Sequence, residues 1–196
     1  GRVYAATQLS MSRKAALKTL RPELGKDKKQ LKRFYHEARA ASALTSPHVV
    51  RIYDFGIDDE SKTPFIAMEH LQGRDLTAAI RAEAPMPPRR AARIMCQVAE
   101  ALIEAADQGI VHRDLKPDSI FLMAQKGRRD FVKVMDFGIA KVIRDDSSLQ
   151  ESLTGTGMTI GTPMYMSPEQ ALAKPLDHRS DLYSLGASVY EILTGK

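Results

Sequence analysis

Two aspartates in two separate turns are the residues best suited to chemistry. Asp114 stands in His112-Arg113-Asp114-Leu115-Lys116-Pro117-Asp118-Ser119, and Asp136 opens Asp136-Phe137-Gly138, 22 residues later. Each follows a short apolar run: Ile110-Val111 before the first, and Phe131, Val132, Val134 and Met135 before the second. A strand–loop–strand–loop reading places both carboxylates at one edge of a small sheet. One can then accept a proton while the other holds a metal, the combination that phosphoryl transfer from a metal-bound nucleotide requires.

A second pair of charges is equally conspicuous. Lys18 is a lone cation in the apolar strand pattern Ala15-Ala16-Leu17-Lys18. Glu37 falls on the same helical face as Phe34, Ala41 and Leu44. A charge on a buried stripe needs a partner of opposite sign. Pairing Lys18 with Glu37 answers both needs. Pairing Glu37 with Arg33, one turn earlier, is the alternative that spacing leaves open.

These residues must be held by a strand-rich first half and a helix-rich second half. Arg2 to Gln8 and Ala15 to Leu20 read as strands, parted by Ser10-Met11-Ser12. Asp27 is placed to N-cap a helix that reaches Leu44 and is ended by Pro47. Val49 to Phe55 and Pro64 to Met68 read as two more strands around the polar turn Asp58-Asp59-Glu60-Ser61. Beyond a short join from Glu69 to Gly73, residues 89–107 carry Ile94, Val98, Ala101, Leu102 and Ala105 at helical spacing, closing at Gln108-Gly109. Cys96 lies in this pattern and reads as core filler. Asp181 to Leu193 forms another apolar helix, stopped by Gly195. Arg144 to Gly161 is low in apolar residues and rich in Ser, Thr and Gly. Two unlike lobes joined by one strand leave a cleft, a usual place for a nucleotide.

Bulk properties narrow the class without choosing the chemistry. The 196 residues suffice for one cored domain or two small lobes. A single cysteine excludes an internal disulfide and suits a reducing compartment. No apolar run approaches the roughly 20 residues needed to span a membrane. The net charge of +5 comes from clusters such as Lys28-Lys29, Lys32-Arg33, Arg89-Arg90 and Arg128-Arg129. Aromatics are only 6%, with no Trp, so stacking platforms for nucleic acid are missing and the clusters read as solvated faces.

Taken together, the motifs resemble the catalytic domain of a eukaryotic-like (Hanks-type) serine/threonine protein kinase, in a style similar to bacterial members. The likeness runs nearly end to end. It implies an α+β, two-lobe fold: residues 1–70 as a small antiparallel β-sheet lobe with one key helix, residues 71–196 as a larger, mainly helical lobe. It implies transfer of the ATP γ-phosphoryl group to Ser or Thr of protein substrates, with Mg2+ or Mn2+. In that likeness Gly1 and Val3 are the tail of a glycine-rich loop, and Ala16-Leu17-Lys18 is the lysine motif whose Lys18 meets phosphate beside Glu37. Met68 is the gatekeeper, Glu69 and Leu71 offer backbone to the adenine edge, Asp75 reaches the ribose, and Phe121 floors the pocket. Asp114 is the general base, Lys116 steadies the γ-phosphate, and Asp136 chelates the metal. Ser119 stands where the family has a metal-binding Asn, which puts the second metal position in doubt and keeps a pseudokinase, a binding module without turnover, as the alternative. Arg113 is a ready partner for phosphate on Thr154, Thr156 or Thr159, Thr162 bonds near Asp114, and Asp181 braces the catalytic-loop backbone. Glu169 closes the substrate-docking loop. The resemblance further implies a cytoplasmic domain, clipped at both ends relative to the family, and leaves dimerisation for autophosphorylation open.

Overall fold

In the computed structural model, residues 2–22, 25, 27–125, 127–137 and 163–196 are described. Gly1, Gly138 and Thr154, Thr156, Thr159 and Thr162 therefore lie outside the described residues.

Strands β1 (Arg2–Gln8) and β2 (Arg13–Thr19) form a hairpin, with Ser12 turning the chain at φ +48°. Helix α1 (Lys28–Ala43) begins where expected, because the Asp27 carboxylate accepts from Lys29 N at 2.8 Å and Gln30 N at 3.3 Å. Strands β3 (Ile52–Ile57) and β4 (Pro64–Glu69) complete an antiparallel sheet ordered β1-β2-β4-β3. Phe34, Ala38 and Ala41, spaced by three and four, bury one stripe of α1. Phe34 and Ala38 pack with Leu20, Val50, Ile66 and Met68.

The second lobe has β5 (Gly73–Asp75), α2 (Leu76–Glu83), α3 (Pro88–Asp107), β6 (Ile120–Gln125), β7 (Arg128–Val134), α4 (Pro168–Ala171) and α5 (His178–Thr194). Its sheet runs β5-β6-β7. A Cβ at position 73 would meet Leu122 O at 2.1 Å, so only glycine lets β5 lie this close to β6. Alpha3 buries Ala91, Ile94, Met95, Val98, Ala101, Leu102 and Ala105. Cys96 falls outside that stripe and is exposed, so it is not core filler. No described helix is long and apolar enough to cross a membrane.

The segment after α1 helps bind the lobes. Residues 48–50 run beside β7: Val134 N donates to His48 O at 2.7 Å and Val50 N to Val134 O at 2.9 Å. On α3, the Glu104 carboxylate accepts from Thr45 N, Thr45 Oγ1 and Ser46 N, each at 2.7 Å. Burial alone would raise the Glu104 carboxyl, but the Thr45 and Ser46 donors outweigh it and hold it below the usual range. A carboxyl depressed in the fold contributes stability above its unfolded pKa of about 4.3, and that contribution is lost as pH falls through the lower folded value. Glu104→Gln is therefore expected to lose about 1 kcal/mol near neutral pH, shrinking toward nothing in acid. Urea unfolding across pH checks this; a loss independent of pH would refute it.

Candidate active site

The two aspartates reach one place through a single hairpin. Beta6 and β7 pair antiparallel with Ile120 opposite Val134, so the entry to β6 and the exit from β7 share one end. Asp114 lies on the loop into β6, and Asp136 lies two residues beyond β7. The expected edge is there, but Ile110-Val111 is not a strand. It packs as irregular chain, with Ile110 against the main core, and the hairpin alone aligns the carboxylates.

The loop around Asp114 is held by buried polar atoms. Asp181, 3% exposed on α5, accepts from His112 N at 2.7 Å and Arg113 N at 2.9 Å, the bracing role expected of it. His112 is fully buried, with Nε2 2.8 Å from Met135 O and Nδ1 3.3 Å from Asp114 N. A carbonyl only accepts, so Nε2 carries the hydrogen and Nδ1 receives the Asp114 amide. Arg113 and Asp136 both adopt left-handed backbone, at φ +68° and +66°. Lys116 Nζ lies 3.9 Å from Asp114 Oδ2 and 3.6 Å from Asp118 Oδ2.

The charges pair differently from the expectation. Lys18 Nζ meets Asp136 Oδ1 at 2.6 Å, and Glu37 meets Arg113 Nη1 at 3.4 Å. The Lys18–Glu37 ion pair is thus replaced by Lys18–Asp136 and Arg113–Glu37. Each charge still has a partner of opposite sign, which is all that burial demands. Ser119 is buried, and its hydroxyl donates to Lys116 O at 2.8 Å and accepts from Lys116 N at 3.1 Å. It thereby caps the turn Pro117–Ser119 from within the loop.

Between the lobes is a cavity of about 300 Å³. Val3, Ala16, Lys18, Met68, Glu69, Leu71, Phe121 and Asp136 are among the residues that line it. Its walls are mostly apolar, with Lys18 and Asp136 meeting on one side and Glu69 and His70, at the end of β4, on another. Asp75 does not line it; its Oδ1 caps α2 by accepting from Ala78 N at 2.7 Å. His70 belongs to the same wall, and its Nδ1 is the buried side-chain atom left without a hydrogen-bond partner among the described residues. No three His, Cys, Asp or Glu side chains gather as a ready metal cage among the described residues. Magnesium is commonly held by one or two carboxylates together with substrate phosphates, which suits a lone Asp136.

Two contributors escaped the sequence reading. Lys133, 11% exposed, pairs with Glu69 Oε1 at 2.6 Å and donates to Val49 O at 3.1 Å. Glu69 Oε1 also accepts from Arg51 N at 2.8 Å, so Lys133 secures the strand that walls the cavity. The signal was present: Lys133 is a lone lysine in an apolar strand, as Lys18 is. Gln170, on α4, donates from Nε2 to Arg113 O at 2.7 Å and accepts from Ser167 N at 3.0 Å. Beside it, Glu169 accepts from Ser180 Oγ, which holds its carboxyl below the ordinary range. Tyr165 donates to Glu191; burial first, then that carboxylate, pushes its phenol well above the usual range.

Comparison with known proteins follows the same lines. Residues 1–196 match the protein kinase domain family. The chain is 46% identical over 195 residues to serine/threonine-protein kinase pkn3 of Myxococcus xanthus, covering 100% of this chain and 35% of that protein. It is 42% identical over 196 residues to serine/threonine-protein kinase PknB of Mycobacterium leprae, covering 99% and 30%. The chain thus spans about a third of the length of these relatives. The crystal structure of the Mycobacterium tuberculosis PknI kinase domain superposes with a TM-score of 0.75 at 28% identity, over 98% of this chain and 68% of that one. With a two-lobe α+β fold, a hairpin that brings two aspartates to one end, and a family match over its whole length, this chain belongs to the protein kinase domain family.

Proposed function

We propose that the chain is the catalytic domain of a protein serine/threonine kinase, residues 1–70 forming its smaller lobe and 71–196 its larger. The observation that carries this reading is the meeting of Lys18 and Asp136 on one side of a mostly apolar cavity, at the same hairpin end as Asp114 and Lys116. ATP seats its adenine among Val3, Ala16, Met68, Leu71 and Phe121, against the backbone of Glu69 and Leu71. Lys18 turns from Asp136 to phosphate, and Glu37 from Arg113 to Lys18, so that each charge keeps a partner of opposite sign. Asp136 would hold magnesium or manganese, which neutralises charge between the β- and γ-phosphates when bound. Asp114 accepts the proton of a substrate Ser or Thr hydroxyl as its oxygen bonds to the γ-phosphorus and the bond to ADP breaks. Lys116 balances charge on the transferred group. Arg113, once released by Glu37, is free to meet phosphate on Thr154, Thr156 or Thr159, and Thr162 bonds beside Asp114. This is the work of a cytoplasmic signalling enzyme acting on protein substrates rather than nucleic acid, with pairing of two copies as the route to autophosphorylation.

A second reading, a nucleotide-binding pseudokinase, is favoured by Ser119. Its hydroxyl is occupied within the loop, where an Asn would offer a carbonyl oxygen to a second metal. Labelled γ-phosphate and the full-length protein separate the two. The expected result is label on Ser or Thr from the parent, and a gain of several-fold in Ser119→Asn, larger with magnesium than with manganese. Nucleotide binding with transfer only by Ser119→Asn would favour the pseudokinase. No transfer by either protein would sink the kinase reading.

A further inference from the structure

We propose that Gln170 is a positioning residue for the general base: its side-chain amide holds the Arg113 carbonyl and so fixes the peptide plane that carries Asp114. This rests on the kinase reading for its catalytic consequence, but its structural content stands alone.

The Arg113 C=O and the Asp114 N–H belong to one rigid planar unit, and in a trans peptide they point to opposite sides. His112 Nδ1 takes the N–H at 3.3 Å, and Gln170 Nε2 meets the C=O at 2.7 Å. The plane is therefore gripped at both edges. Arg113 is left-handed at φ +68°, a conformation that a non-glycine residue keeps only when its surroundings impose it. Asp181 supplies the first part of that restraint, through His112 N and Arg113 N. The carbonyl side is restrained by Gln170.

The identity of the side chain matters. Ser167 N can only donate and Arg113 O can only accept, so the amide has one orientation: Oε1 to Ser167 N, Nε2 to Arg113 O. Ser167 is fully buried and Ser167 Oγ accepts from Gln170 N at 3.4 Å, so the amide also closes the cap of α4. Glutamate at 170 would preserve the cap, because a carboxylate oxygen accepts from Ser167 N, and would abolish the clamp, because it has no donor for a carbonyl. The residue just after the Pro168-Glu169 pair thus reaches the base through one neutral hydrogen bond.

The test compares Gln170→Glu and Gln170→Ala with the parent in the full-length protein. Three readouts are used: kcat and KM for ATP, melting temperature, and hydrogen exchange of the Asp114 amide. Gln170→Glu is expected to melt somewhat below the parent, since the Arg113 carbonyl loses its donor, to leave KM for ATP unchanged, to lower kcat about tenfold and to speed exchange at Asp114. Gln170→Ala should match it in kcat and exchange and melt lower, having also lost the cap. Parental exchange at Asp114 in both variants would overturn the clamp, whatever the rates. So would a Gln170→Glu protein of parental kcat, since the amide would then serve the cap alone. If the parent itself transfers no phosphate, the kinase reading fails, while faster exchange in the variants still upholds the clamp.

Discussion

Asp114→Asn is expected to slow phosphoryl transfer by about 10²- to 10⁴-fold, the range for losing a general base. Asn matches Asp in size, so it should not disturb the fold. It cannot take a proton from the attacking hydroxyl. The backbone at 114 is held by His112 and by the groups on Arg113, so the loop should keep its path. Asp114 does not line the cavity between the lobes, so nucleotide affinity should hold. Measuring transfer and nucleotide displacement on the same preparations separates the two effects. A variant retaining more than about a tenth of the parental rate would remove Asp114 from the role of base.

The second large effect is structural. Asp181→Ala leaves two amides, the buried His112 N and the part-buried Arg113 N, without this acceptor. Each unsatisfied group costs about 1–3 kcal/mol, so a loss of about 2–6 kcal/mol is expected. A domain of this kind has only about 5–15 kcal/mol to lose. Asp181→Asn should be milder, since its carbonyl oxygen still accepts one amide while its nitrogen confronts the other. Denaturant unfolding should rank parent, Asn and Ala in that order, with activity lost along the same series. An Ala variant within 1 kcal/mol of the parent would show that the loop finds other acceptors.

Much of the frame was legible because its signals are local. Asp27 announces α1 by offering an acceptor to its first free amides, and Pro47 closes the stretch after it. Alternation and turn chemistry marked the strands, and helical spacing marked α3 and α5 to within a few residues. What escaped depends on three-dimensional choice. Lys18, Glu37, Arg113 and Asp136 could pair in more than one way, and burial demands only that each find an opposite charge. Here geometry chose Lys18–Asp136 and Arg113–Glu37. Lys133 obeys the logic applied to Lys18, yet its partner Glu69 is 64 residues earlier, beyond any periodic signal. Cys96 failed for a smaller reason: an apolar residue on a helix takes its burial from its angle, and its angle faces water. Gln170 has no compositional signature, since one amide bridging two backbone groups looks like any polar residue in a turn.

The stitching of residues 48–50 to β7 also sets an order of events during synthesis. Val49 O and the Lys133 ammonium that binds it are 84 residues apart in the chain. At about 5–20 residues per second, the ribosome adds that interval in roughly 4–17 s. For that time the newly made sheet of the smaller lobe emerges without Lys133 for its Glu69 and without Val134 for the backbone of His48 and Val50. The lobe made first therefore stays open until a strand of the other lobe leaves the exit tunnel, after α2 and α3 have already passed through it.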